Sequence, residues 1–110
     1  MSALYGMKVV LAAGHGLGAL YIGKGLVLGA DVTGARYKAT YTEQGGRVKF
    51  TGTMSIPPGA TIFGGEKIDQ GAEFPMSADL PKNFADGSVQ QVTVAGRSVQ
   101  ATFEKIGDIP

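Results

Sequence analysis

The fold is decided by the stretch ARYKATYTEQGGRVKFTGTMSI, residues 35–56. Apolar and polar side chains alternate on both sides of a central glycine pair. The apolar phase consists of Tyr37, Ala39 and Tyr41 before the glycines, and of Val48, Phe50, Gly52, Met54 and Ile56 after them. Because a β-strand sends successive side chains to opposite faces, each half predicts a strand with one dry and one wet side. Glycine tolerates positive φ, so Gln44-Gly45-Gly46 predicts the hairpin turn between them.

Similar runs along the rest of the chain bring the total to eight predicted strands. They span residues 3–12, 17–22, 25–28, 35–43, 47–56, 72–80, 88–94 and 97–106. Glycine-rich turns separate them, with Gly23-Lys24 and Ala95-Gly96 as two-residue turns. No window longer than ten residues has helical apolar spacing that glycine does not interrupt. Short strands in meander order favour an all-β fold, an eight-stranded antiparallel up-and-down barrel of the lipocalin kind, because closure removes exposed edges.

Length and composition narrow the class of protein. A chain of 110 residues predicts one domain, and a net charge of +1 gives no bulk attraction to nucleic acid or to an anionic membrane. The absence of cysteine excludes disulfides and thiol chemistry. The apolar start of the chain carries Lys8 in its middle and does not fit a signal peptide, and no stretch reaches the ~20 apolar residues of a membrane helix. We therefore expect a cytoplasmic protein.

One segment resembles a cofactor motif. Gly14-His15-Gly16-Leu17-Gly18-Ala19 fits the G-x-G-x-x-A pattern of dinucleotide-binding proteins. That pattern requires a helix after the glycines, whereas two further glycines follow here within six residues, so a glycine-rich loop is expected instead. His15 has no apparent nucleophile and acid beside it, and the nine acids show no metal-ligand spacing. We predict no catalytic residue, metal or cofactor, and an enzyme that uses His15 remains a third hypothesis.

The barrel interior offers one route to function. Eight strands enclose a space that side chains fill or that holds one small ligand. Aromatic candidates for the lining are Tyr21, Tyr37, Tyr41, Phe50 and Phe103. Small residues in the apolar phase are Ala19, Ala39, Gly52, Ala78 and Ala101. These side chains are compatible with a cavity for a small apolar ligand and equally with a filled core.

The connection Pro57–Gly71 offers a second route. It is long for a small domain, and such loops often carry a binding function. Its charged segment contains Glu66, Lys67 and Asp69, which are the candidate contacts for a protein partner. In the next strand Pro75 lies in the polar phase, which indicates an edge or a bulge nearby.

Several of these features together resemble a known family. The segment Gly25–Met54 joins a Gly29-Ala30-Asp31 turn to a strand with spaced tyrosines and a glycine hairpin. An early Leu4-Tyr5-Gly6 step and a later Phe63-Gly64 step fit the same pattern. In strand order and in these residues the chain resembles the GrlR-like family, which comprises negative regulators of type III secretion.

The resemblance implies a small calycin-like barrel, often a homodimer, that binds a protein. The best-known member of the family sequesters a helix-turn-helix transcriptional activator through an exposed run of four alternating acids. This sequence has no such run, and its nearest acidic segment, residues 66–69, includes Lys67. The leading hypothesis is a non-enzymatic cytoplasmic regulator that acts by binding a protein partner. The alternative is a barrel that carries a small hydrophobic ligand.

Overall fold

The computed structural model describes residues 2–11, 14–59 and 71–110, and these residues form one closed barrel. Each strand pairs antiparallel with the next, and the last pairs with the first. The strands are β1 (Ser2–Leu11), β2 (Gly14–Gly23), β3 (Leu26–Asp31), β4 (Arg36–Gln44), β5 (Arg47–Ile56), β6 (Ala72–Pro81), β7 (Gln90–Val94) and β8 (Arg97–Asp108). The predicted eight-stranded up-and-down barrel is confirmed. In the described part of the chain, no helix is long and apolar enough to cross a membrane.

Some strand boundaries differ from the prediction. The segment expected to be a loop, Gly14-His15-Gly16, is the start of β2, and His15 pairs with Val10 of β1. The β2–β3 turn is Lys24-Gly25, one residue later than expected, with φ values of 54° and 79°. Such paired positive φ values match the twist of the flanking strands. The turns at Gly45-Gly46 and Ala95-Gly96 have the same geometry and are confirmed.

The core lies on the predicted inner phase of the strands. Val48, Met54 and Ile56 of β5 are buried, as are Ala101 and Phe103 of β8. This alternation follows from the pleat, which directs every second side chain into the barrel.

A residue from outside the strands completes the core. Phe84 belongs to the segment between β6 and β7, expected to be a plain loop, and is 1% exposed. Its ring lies 5.5 Å from that of Tyr5, 5.8 Å from Phe50 and 5.6 Å from Phe103. Phe84 therefore joins three strands from within.

Gly52 marks a close approach of two strands. A Cβ atom at this inward-facing position would lie 2.1 Å from the carbonyl oxygen of Lys38 and 2.4 Å from the Cα of Ala39. Distances this short leave no room for a side chain, so β4 and β5 can pack this closely because residue 52 is glycine.

The seam between β6 and β7 has the shortest pairing around the described barrel. It joins Met76 to Val94 and Ser77 to Thr93, and the Ala95 N–H donates to the Pro75 carbonyl at 2.9 Å. Pro75 lacks an N–H, so it contributes an acceptor alone. The expected edge at Pro75 is therefore a short seam in a closed barrel.

Candidate functional site

The barrel interior contains a small apolar cavity of about 80 Å³. Three of the predicted residues, Tyr37, Phe50 and Phe103, line it together with Phe84. Ligand pockets for drug-sized molecules span about 300–1,000 Å³, so side chains occupy most of this interior. Flexible side chains complete the lining, namely Met7, Met54 and Met76.

The other two aromatic candidates lie elsewhere. The ring of Tyr41 is 5.9 Å from that of Phe50, at the side of the aromatic cluster. Tyr21 is on the outer face, where it pairs with Leu4 and Leu28, and its hydroxyl lies 3.2 Å from Ser2 Oγ. Since its neighbours on β2 point inward, alternation turns Tyr21 outward, and its predicted place in the lining is wrong. Ala19 faces outward for the same reason.

The Tyr37 hydroxyl is already engaged. It donates a hydrogen bond to Asp31 Oδ2, while Asp31 Oδ1 accepts bonds from the N–H groups of Thr33 (2.9 Å) and Ala35 (3.1 Å). Burial raises the pKa of Tyr37, and the bond to Asp31 raises it further. The neutral phenol thus has its single donor fixed to the β3–β4 connection, and the described interior presents an apolar surface.

The outer surface divides into two regions with different chemistry. We call the outward side chains of β1–β3, with Glu104 and Ile106 at the adjoining end of β8, the apolar wall, and those of β4–β7 the polar wall. Leu17 is 52% exposed and Leu28 is 47% exposed on the apolar wall, and Ile106, 64% exposed, extends it beside Gly6. The outward residues of β1–β3 are Ser2, Leu4, Gly6, Lys8, Val10, His15, Leu17, Ala19, Tyr21, Gly23, Leu26, Leu28 and Ala30.

The polar wall follows the usual pattern of a solvated sheet. One row across it runs from Thr40 through Thr51 to Ser77. An ion pair joins Arg47 Nε to Asp79 Oδ1 at 3.0 Å, and both side chains are about half exposed. This surface is suited to water, whereas the apolar wall leaves large aliphatic side chains in contact with it.

A shallow groove crosses the apolar wall where Gly6 contributes no side chain. Its volume is about 380 Å³, and it runs between Lys8, Leu17 and Glu104. In the register of the sheet, Lys8 is diagonal to Glu104, because Lys8 pairs with Thr102 and Gly6 pairs with Glu104. Neither charge takes part in the ion pairs found among residues 2–11, 14–59 and 71–110, which are Arg47–Asp79, Lys82–Glu43 and Lys105–Asp108.

His15 is exposed near the end of the apolar wall, opposite Val10. Within the described ranges, no group of three His, Cys, Asp or Glu residues is placed to hold a metal ion. The segment that fits the dinucleotide pattern is the first half of β2, so it provides no helix N-terminus for a pyrophosphate.

The predicted partner contacts fall outside the described residues. This applies to Glu66, Lys67 and Asp69, and also to the Phe63-Gly64 step that contributes to the family resemblance. The role of the Pro57–Gly71 connection therefore stays a prediction.

The apolar wall was missed at the level of sequence, although a signal for it exists. Runs such as Leu20-Tyr21-Ile22 and Leu26-Val27-Leu28 are apolar in both phases, which is typical of strands covered on both faces. Phe84 gave no such signal, since a single aromatic residue between strands has no periodicity.

Comparison with known proteins assigns neither a family nor a function to this chain. No family model, no curated protein and no solved structure matches this chain. The resemblance to the GrlR-like family stays a prediction that rests on the quoted residues.

Proposed function

We propose that this chain is a non-enzymatic regulatory protein that acts by binding another protein through its outer surface. The observation that carries the proposal is the exposed apolar wall of β1–β3. Contiguous apolar surface of this kind marks interaction sites on small proteins, because its transfer out of water is favourable.

The interior supports the same proposal. A cavity of about 80 Å³ around Phe84 leaves little space for a ligand, and the Tyr37 donor is already bonded to Asp31. Recognition by this barrel is therefore assigned to its outside. The regulatory role and a helix-turn-helix activator as the class of partner come from the GrlR-like resemblance, and a cytoplasmic location is part of the proposal. With a net charge of +1, the proposal includes no direct binding to nucleic acid.

Affinity capture from native extract tests the proposal, with one bait for each surface. The baits are the wild type, Leu17→Glu on the apolar wall, Thr51→Glu on the polar wall, and a chain whose residues 60–70 are replaced by a glycine-serine linker. We expect a partner protein to be retained in stoichiometric amount by the wild type and by the Thr51→Glu control. Loss of the partner by Leu17→Glu would place the contact on the apolar wall, and loss by the linker chain would place it in residues 60–70.

The affinity of each bait for the purified partner is then measured by titration calorimetry. Failure of the wild type to retain any protein, or equal retention by all four baits, would contradict binding through these surfaces.

The second candidate function is transport of a small apolar ligand. It is favoured by the predominantly apolar lining of the cavity and by Met7, Met54 and Met76 within that lining, because methionine side chains adapt readily to a guest. Titration with decanoate, followed by the ¹³C-methyl NMR signals of these methionines, separates the candidates. We expect no saturable shift, and a saturable shift of all three signals would favour the carrier.

A further inference from the structure

We infer that the border between the two walls, where β3 meets β4, binds an acidic amphipathic helix of the partner protein. The helix lies parallel to these strands. Its apolar stripe packs on Leu26 and Leu28 of β3, and its row of acids faces Arg36 and Lys38 of β4. This inference rests on the proposed function in one respect, the binding of a protein through the outer surface, and adds the chemistry of the partner.

Basic side chains of β4 lie directly beside aliphatic side chains of β3. Lys38 pairs with Leu28 and Arg36 pairs with Ala30, and these four residues are exposed on the outer face. Lys24, in the turn before β3, places a third exposed base at one end of this border. An apolar strip therefore runs along a row of positive charge. We call this surface the basic border, and its residues are Lys24, Leu26, Leu28, Ala30, Arg36 and Lys38.

The bases of the basic border are available to a partner. None of the ion pairs among residues 2–11, 14–59 and 71–110 includes Lys24, Arg36 or Lys38. Asp31, at the end of β3, directs its carboxylate to the β3–β4 connection and to the Tyr37 hydroxyl. The outward phase of β4 and β5 carries four basic side chains and no acid. Because complementary charge selects partners, this face selects acidic ones.

The closed barrel decides the conformation of the partner segment. An extended peptide binds a sheet by pairing with a free edge, and in the described barrel each strand is paired on both sides. A segment on the face of the sheet must therefore satisfy its own backbone groups, as a helix does. The spacing agrees with this, since Arg36 and Lys38 are alternate residues of a strand, about 6.6 Å apart, and acids at i and i+4 of a helix are about 6 Å apart.

The apolar side of the border favours a protein over a nucleic acid. Among the described residues of β3–β5, the outward phase has no aromatic side chain on which a base stacks. A helix about 10 Å wide covers two strands about 4.8 Å apart, so its apolar stripe also reaches Tyr21 of β2, which pairs with Leu28. The charge of this contact is opposite in sign to the run of acids in the GrlR-like family.

Fluorescence anisotropy with two synthetic helices tests the inference. The probes are labelled peptides of about 16 residues that share one leucine stripe. One probe has glutamates beside the stripe, and the other has lysines at the same positions. We expect the wild type to bind the acidic probe at least tenfold more tightly than the basic probe, with a preference that declines as salt is added. The double variant R36E K38E should prefer the basic probe.

Lys38→Glu and Lys49→Glu form a matched pair of variants. Each lysine points outward opposite a threonine, but Lys38 lies beside Leu28 whereas Lys49 lies beside Asp79. We expect K38E to weaken binding of the acidic probe about fivefold and K49E to weaken it less than about twofold. Thr51 is on β5, one strand away from the contact, so Thr51→Glu should also have less effect than K38E. Thermal unfolding establishes that each variant is folded.

Equal binding of the two probes by the wild type, or equal effects of K38E and K49E, would overturn the inference. Tighter binding of a 20-nucleotide single strand than of the acidic probe would overturn it too. The proposed function fails in a different way. If native extract yields no partner while the acidic probe binds as expected, the proposed function is contradicted and the basic border is supported. If wild type and R36E K38E capture a partner equally, the proposed function is supported and this inference is contradicted.

Discussion

The two walls of the barrel share one core and one pattern of pairing, yet their outer faces differ. On β4 and β5 the outward phase is polar throughout, for example at Lys38, Thr51 and Thr53. On β1–β3 the equivalent phase carries Leu4, Leu17 and other aliphatic side chains. The inner phase must be apolar to form the barrel, whereas the fold places no such demand on the outer phase. The outer phase therefore carries information about binding, which the inner phase does not.

The largest expected effect comes from placing a charge on the apolar wall. Leu17→Glu should weaken binding of the partner protein by about 10–10²-fold, because burial of a leucine side chain contributes about 1.5–3 kcal/mol. The fold itself should keep its stability within about 1 kcal/mol, since Leu17 lies outside the core. Titration calorimetry with the partner and urea unfolding measure the two quantities. Thr51→Glu is the control, and equal binding of the partner by the two variants would remove the distinction between the walls.

The two walls also differ in how far they could be predicted from sequence. Alternation at residues 35–56 predicted the polar wall correctly, because its two phases differ in polarity. In β2 both phases are apolar, so the pattern did not determine which side Tyr21 faces, and pairing with Leu4 and Leu28 decides it. Gly14-His15-Gly16 was expected to be a loop because glycine is common in turns, but ten consecutive pairs with β1 keep it extended.

Phe84 connects the two walls internally, and its removal should have the next largest effect. Phe84→Ala is expected to lower the free energy of unfolding by about 3–5 kcal/mol, since the ring is fully buried against Tyr5 of β1 and Phe50 of β5. Phe74→Ala makes the same chemical change at a half-buried position and should cost less. Urea unfolding compares the two, and an equal loss would show that Phe84 is not central to the core.

A hydrogen bond from Tyr37 of β4 to Asp31 of β3 connects the polar wall to the apolar wall. Tyr37→Phe should cost about 1–2 kcal/mol at pH 7, because the hydrogen bond that fixes the β3–β4 connection is lost. Burial raises the pKa of Tyr37 above the ordinary value of 10.0. The unfolded chain then loses this proton first, so this contribution to stability is complete below pH 10 and declines as the pH rises above it.

Unfolding midpoints in urea between pH 7 and pH 11 measure this contribution. Tyr37→Phe should lose less stability above pH 10 than the wild type does. A remaining slope is expected, because burial also raises the pKa of Tyr5. Tyr21→Phe on the apolar wall serves as the control, and identical slopes for the wild type and Tyr37→Phe would contradict the role given to Tyr37.

The smallest effect is expected for the ion pair on the polar wall, and it gives the sharpest contrast between the walls. Asp79→Asn should lower stability by less than about 1 kcal/mol, because both partners are half exposed and exposed pairs contribute little. Arg47 also keeps its bond to the Asp79 carbonyl oxygen, at 2.9 Å. Binding of the partner should not change. A single change of charge at Glu104 should have the opposite profile, with little effect on unfolding and a larger effect on partner binding, since Glu104 lines the groove in the apolar wall. If Asp79→Asn and E104K shifted partner binding equally, the charges of the two walls would be equivalent and the apolar wall would not be the contact.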